Sequence, residues 1–344
     1  AQRGLRMNWG ITGHTWAVSQ LQHSLQVGTD AQAYLISGVA GIGKALLALR
    51  LAQALNCEGS PGEPCLTCRD CKRIERGSHP DVRIAGMTSQ AVGLKPDEAA
   101  RQKELKIATV RAWQHDIALR PYEARRRVFI LHDAERLNEE ASNAMLKTLE
   151  EPPSYATLIL VANSTDLLPT IVSRCRVLRL RPLPRRQVQA ALVAREVVEA
   201  EAAMLAAWSG GRIGWAFGML DRPDEIARRD EQIAALLALH QGESGAGMRW
   251  AEQRAKEYRG GEQELVFAWL ELWQGWWRDV LLTAAGCPEG VVNIDRRREL
   301  EQSAAQHPLP NAFSFATRIG QAAQQLRENG NPQLVLESLV LHRP

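Results

Sequence analysis

No stretch of about 18 apolar residues occurs in this 344-residue chain, and no charged start leads into a short apolar core. Neither a membrane span nor a secretory leader is expected, and the expected address is the cytoplasm. A surplus of one charge is also missing. The chain has 42 Lys and Arg against 39 Asp and Glu, a formal net charge of +3, too little to mark a nucleic-acid surface by itself. The run Arg125-Arg126-Arg127 is a local exception, either meeting phosphates or forming a solvated turn ahead of a strand. No paired carboxylates stand in a recognisable two-metal, nucleotidyl-transfer arrangement, so no polymerase centre is expected. What the chain does have is 45% hydrophobic residues, enough for buried cores in two or three domains. Residues 1–6 precede Met7 and stay outside the fold argument.

Cysteine is scarce but concentrated. Four of the six lie in the pattern Cys57-x7-Cys65-x2-Cys68-x2-Cys71. Two short Cys-x2-Cys turns bring four thiolates together, which suits tetrahedral zinc better than disulfides in a reducing compartment. A redox pair needs two thiols and leaves two unexplained. Four protein ligands leave no open position, so the zinc is expected to be structural. Cys175 and Cys287 stand alone and read as small apolar residues.

Ala33 to Ser37 reads as a buried strand that ends in the glycine loop Gly38-Val39-Ala40-Gly41-Ile42-Gly43-Lys44-Ala45, with helical spacing from Leu46 to Leu55. Strand, glycine loop and helix form the context of a phosphate-binding loop, whose N–H groups and helix dipole favour an anion. Asp81 to Ala85, Arg127 to His132 and Thr157 to Ala162 read as further strands, with a helix over Asn138 to Glu150 stopped by Pro152-Pro153. This alternation predicts a parallel sheet covered on both faces. After Leu180 β-branched strand runs are absent, and the rest reads as helices broken at Ser209-Gly210-Gly211, Pro223 and later glycine and proline clusters. Trp269, Trp273, Trp276 and Trp277 recur at helical spacing and read as core or interface anchors rather than a ligand site.

The phosphate loop lacks one group. Its usual final hydroxyl, which binds magnesium, is replaced by the methyl of Ala45. The strand expected to end in an Asp-Glu pair ends Leu131-His132-Asp133-Ala134-Glu135. One registration puts His132 at the magnesium position and Asp133 at the water-activating one; the other makes Asp133 the metal ligand and leaves Ala134 as the missing base. Hydrolysis fails under both. Lys44 and the three glycines Gly38, Gly41 and Gly43 keep weak ATP or ADP binding open as an alternative.

The glycine loop, the four-cysteine module, the string Asn143-Ala-Met-Leu-Lys-Thr-Leu-Glu-Glu-Pro-Pro153 and Thr170-Ile-Val-Ser-Arg-Cys175 together resemble the clamp-loader family of bacterial DNA polymerase III, over nearly the whole chain. The resemblance implies an α/β AAA+ P-loop module with a parallel sheet and a zinc-binding insertion at about 57–71 (residues 1–181), a small helical lid (182–222), and an all-α collar (223–344). It implies that Arg174 is an arginine finger reaching the ATP of a neighbouring subunit, and that Asn163 occupies a nucleotide-sensing position. Motor subunits carry a sensing arginine where this chain has Gly214, and Arg212, two residues earlier, points about 200° away around a helix. Ala45, His132 with Asp133, and Gly214 favour the stationary, delta-prime type of subunit. The implied partners are gamma or tau motor subunits and a delta subunit in a hetero-pentameric ring, with the sliding clamp and primed DNA reached through that complex. An ATP-hydrolysing motor subunit of the same loader and a zinc-dependent DNA-binding protein are the alternatives.

Overall fold

The computed structural model describes residues 8–59, 62–92, 102, 104–164, 167–241 and 244–344. The chain divides into two compact units, residues 1–191 with 211–215 and residues 192–210 with 216–344.

The first unit is built on five parallel strands, β1 (Ala33–Ser37), β2 (Val82–Ala85), β3 (Arg127–Leu131), β4 (Ala156–Ala162) and β5 (Arg176–Arg179), in the order β2-β3-β4-β1-β5. Strands β1, β3 and β4 are buried along their whole length because helices cover both faces. Alternation sorts their side chains. Tyr34, Ile36, Val128, Ile130, Ile159 and Val161 pack against α1 (Thr15–Val27) and α2 (Lys44–Asn56). Leu35, Phe129, Leu131, Leu158 and Leu160 pack in a separate core with α5 (Ile107–Ile117) and α6 (Glu139–Glu150). Along the chain between α2 and α5 come α3 (Arg69–Glu75) and the single turn α4 (Met87–Gln90). Helix α6 begins where Asn138 accepts a hydrogen bond from the Ala141 N–H, a side-chain N-cap. After β4, α7 (Pro169–Arg174) leads into β5.

The expected strands and the helix before Pro152 are in place within a residue or two. The edge strand β5 is additional. Arg176 and Arg179 enclose only two apolar residues, so no period shows in the sequence, and pairing with β1 at Tyr34, Leu35, Ile36 and Ser37 supplies the order that local propensity does not.

The second unit is helical. Helix α8 (Arg185–Val193) crosses from one unit to the other; α9 (Glu199–Trp208) and α10 (Ile213–Leu220) precede the long helices α11 (Pro223–Gln241), α12 (Ser244–Arg259), α13 (Gln263–Ala284), α14 (Arg297–Gln306), α15 (Leu309–Arg327) and α16 (Pro332–Leu341). The four tryptophans of α13 are buried in its core, Trp273 and Trp277 meeting Phe315 edge-on at 5.1 and 5.4 Å. Asp279, also on α13 and fully buried, accepts hydrogen bonds from the Val292 and Asn293 N–H groups at 2.9 and 2.7 Å, fixing the loop that follows.

Asp81, one residue before β2, fixes the approach to β3 in a similar way. Its carboxylate accepts from the N–H groups of Tyr122, Glu123 and Ala124 at 2.8, 2.9 and 2.9 Å. Burial alone pushes this carboxyl up, but the three donors outweigh it and hold it below the usual carboxylate range. Its stabilising effect is therefore complete above the unfolded value of about 4 and is lost as pH falls through the lower folded value. Asp81→Asn is expected to cost about 2 kcal/mol at neutral pH and to flatten the loss of stability on acidification, read from urea midpoints between pH 7 and pH 3.

Candidate phosphate loop, cysteine cluster and exposed arginine

Strands β1, β4 and β3 are neighbours, so their carboxyl ends deliver the glycine loop, Asn163 and His132-Asp133 to one edge of the sheet. Gly38 accepts its position from the β4 end, donating its N–H to the Ala162 carbonyl at 3.3 Å. Gly43, in a left-handed conformation, caps α2. Lys44 is buried, and its ammonium donates to the Gly38 carbonyl at 2.6 Å, the Val39 carbonyl at 2.8 Å and Asn163 Oδ1 at 2.9 Å. Burial pushes its pKa down, opposed by the charges of Glu135 and Asp133. Ala45 is exposed and brings no hydroxyl to the loop.

Behind the loop the acidic residues are sorted by backbone geometry. Asp133 sits in the left-handed region at φ 55°, and its Oδ2 accepts from the Met87 N–H at 3.2 Å, which commits it to α4 at the far side of β3. Burial lowers the pKa of His132, with Asp133 opposing and Lys44 reinforcing the shift. Glu135, to which the sequence reading gives no role, is the residue connected to the loop. Its Oε1 accepts from Asn163 Nδ2 at 2.7 Å, so Asn163 bridges Glu135 to Lys44. The acid was visible two residues past Asp133, but only the turn at Asp133 brings it inward.

Gly214 lies against the same loop. A Cβ there would stand 2.9 Å from the Gly41 carbonyl oxygen, which also accepts the Trp215 N–H at 3.0 Å. Backbone thus fills the position expected of a sensing arginine, and Arg212 lies instead over the Trp215 ring, 5.2 Å from its centroid.

Cys57, Cys65, Cys68 and Cys71 form one cluster, all four sulfur atoms lying within 4.8 Å of one another. Tetrahedral bonding at about 2.3 Å separates thiolates by roughly 3.8 Å, so a small contraction would seat a metal ion. Backbone N–H groups already point at the sulfurs. Gly59 and Cys65 donate to Cys57 Sγ at 3.3 Å, Cys68 to Cys65 Sγ at 3.2 Å and Cys71 to Cys68 Sγ at 3.4 Å. Hydrogen bonds from Thr67 and Cys68 bring the Cys65 thiol down to about 6, whereas burial pushes Cys57 and Cys71 up. The cluster is compatible with a metal ion.

Arg174 ends α7 and is exposed. It donates to Glu150 Oε1 at 2.7 Å and to the Thr170 carbonyl at 3.0 Å. Cys175 beside it is a half-buried thiol pushed up to about 12 by burial. The Arg125–Arg127 run is largely consumed by the fold: Arg126 pairs with Asp30 at 2.9 Å, and buried Arg127 donates to the Leu119 carbonyl at 3.0 Å.

A parallel sheet in this order, with a glycine loop between β1 and α2, is the layout of a P-loop module. The family model for the DNA polymerase III delta subunit matches residues 13–184, and the chain belongs to that family. It is a clamp-loader subunit of DNA polymerase III. It is 29% identical to the delta-prime subunit of Bacillus subtilis over 93% of both chains. Its identity to delta-prime of Pseudomonas aeruginosa is 36%, over 53% of each. Against the tau subunit of Escherichia coli it is 32% identical over 52% of this chain and 26% of tau.

Lys44→Met removes the shared donor and leaves two carbonyls and the Asn163 oxygen without it. The expected cost is about 2 kcal/mol, or roughly 4–8 °C in the melting of the sheet unit. A melting point unchanged by that substitution would show that the ammonium carries no structural role.

Proposed function

We propose that the chain is the stationary subunit of the clamp loader. It assembles with gamma or tau motor subunits and a delta subunit in a five-membered cytoplasmic ring, through which the sliding clamp is placed on primed DNA. The observation that carries this reading is the pairing of a phosphate loop without its metal hydroxyl, packed by the backbone of Gly214, with an exposed Arg174 at the end of α7. Arg174 would reach the ATP held by the next subunit. A guanidinium is permanently charged and planar, and it suits the charge that develops on a transferred phosphoryl group. The layout that fits this role is an AAA+ module over 1–181, a helical lid over 182–222 and a collar over 223–344.

In the chain's own loop, Gly38, Gly41, Gly43 and Lys44 are the groups that would cradle a nucleotide, with Ala45, His132, Asp133 and Asn163 around them. With Ala45 in place of the metal-binding hydroxyl and the Asp-Glu pair altered at His132-Asp133-Ala134, the loop lacks a complete set of groups for magnesium and water, and this chain does not hydrolyse ATP. Cys57, Cys65, Cys68 and Cys71 would hold one structural zinc ion, closing the turn between α2 and α3.

Steady-state ATP hydrolysis by the isolated chain is expected to be negligible. The reconstituted complex with primed DNA and clamp should lose hydrolysis by about a hundredfold or more at one site when it carries Arg174→Ala. Turnover by the isolated chain that disappears with Lys44→Ala would instead identify a motor subunit. The purified protein should carry one equivalent of zinc, and Cys68→Ser should release it while leaving the helical unit folded.

A further inference from the structure

Helix α6 ends in an arrangement that its own electrostatics disfavours. Glu150 is its last residue and Glu151 follows, so two carboxylates sit where unpaired carbonyls already concentrate negative charge. Arg174 stands at the C-terminus of α7, the favourable end for a cation. The two helix ends meet through Arg174 Nη2 and Glu150 Oε1 at 2.7 Å, while Nη1 donates back to the Thr170 carbonyl at 3.0 Å. The side chains keep 34% and 51% of their exposure, so the pair contributes little to stability. Its effect is geometric. A long side chain with several free torsions is held by two acceptors on two elements, which fixes the plane of the guanidinium. Of its five N–H groups two are used, leaving the Nε hydrogen and one on each terminal nitrogen for the oxygens of an incoming phosphate.

We propose that Glu150 is a positioning residue for Arg174: with the Thr170 carbonyl it holds the guanidinium ready for a phosphate of the neighbouring subunit. This rests on the trans-acting role of Arg174 proposed above. Glu150 touches no nucleotide; it acts through the arginine. Glutamine keeps the Oε1 acceptor at the same reach, whereas alanine removes it.

The test compares reconstituted complexes, with primed DNA and clamp, that carry wild-type protein, Glu150→Ala, Glu150→Gln, Arg174→Ala and the double Glu150→Ala/Arg174→Ala variant. Assembly is checked by sedimentation. Glu150→Ala is expected to lower kcat at the site Arg174 serves about tenfold, with KM for ATP unchanged and assembly intact. Glu150→Gln should restore kcat, and in the Arg174→Ala background Glu150→Ala should have no further effect. If Arg174→Ala changes nothing, the trans-acting reading itself falls. If Arg174→Ala is damaging but Glu150→Ala is silent or faster than wild type, the arginine reaches phosphate without help and the positioning role is overturned. A Glu150→Gln variant as weak as Glu150→Ala, or a loss of assembly in either, would likewise overturn it.

Discussion

Lys44 is 6% exposed, and its ammonium shares its three protons among the carbonyls of Gly38 and Val39 and the amide oxygen of Asn163, so that one charge joins the end of β1 to the end of β4. A buried cation is costly unless every proton finds an acceptor and a counter-charge lies near. Both conditions are met, because Asn163 is itself held by Glu135. The pair Asn163 and Glu135 therefore has a structural task whatever else the loop does, and the glycine loop takes its shape from being drawn around the lysine.

The four-cysteine insertion depends on a different substitute for a core. Residues 57–59 and 62–71 contain few large apolar side chains and belong to none of the strands, so little hydrophobic burial is available to order them. Sulfur atoms gathered by backbone N–H groups take that place. The module is tied back to the sheet unit by polar contacts: Gln53 on α2 donates to the Cys71 carbonyl at 2.8 Å, and Arg73 on α3 pairs with Glu123 in the turn that Asp81 holds. The cysteine cluster, α3 and the entry to β3 thus form one connected block.

The parts of this protein legible in its sequence were those with local signals. The glycine loop, the Cys-x2-Cys turns and three fully buried strands each announce themselves within a dozen residues, and they fall where expected. The features missed depend on distant partners. Strand β5 exists through its pairing with β1. The division of labour between Asp133 and Glu135 follows from one left-handed residue and from Met87, 46 positions earlier in the chain. No local pattern told that Gly214 would face Gly41, or that Arg174 would be held by Glu150.

The glycines of the phosphate loop invite the inference that a nucleotide binds there, but packing alone accounts for them. Gly38 adopts φ 148°, and a Cβ on it would lie 2.6 Å from the Leu180 carbonyl. Gly41, at φ 76°, would place a Cβ 2.9 Å from that of Trp215. Both contacts are with neighbouring protein atoms, and both would exclude any other residue whether or not phosphate were bound. The same holds for Lys44, whose three acceptors are supplied from within the chain. A motif of this kind therefore gives weak testimony about ligand. The informative positions are Ala45 and Gly214, where packing leaves the choice of residue to chemistry in one case and removes the space for a side chain in the other. At Ala45 the side chain is exposed, so nothing in the packing forbids a hydroxyl there. At Gly214 the Gly41 carbonyl stands where an arginine would begin, so a sensing side chain could not be added without moving the glycine loop itself.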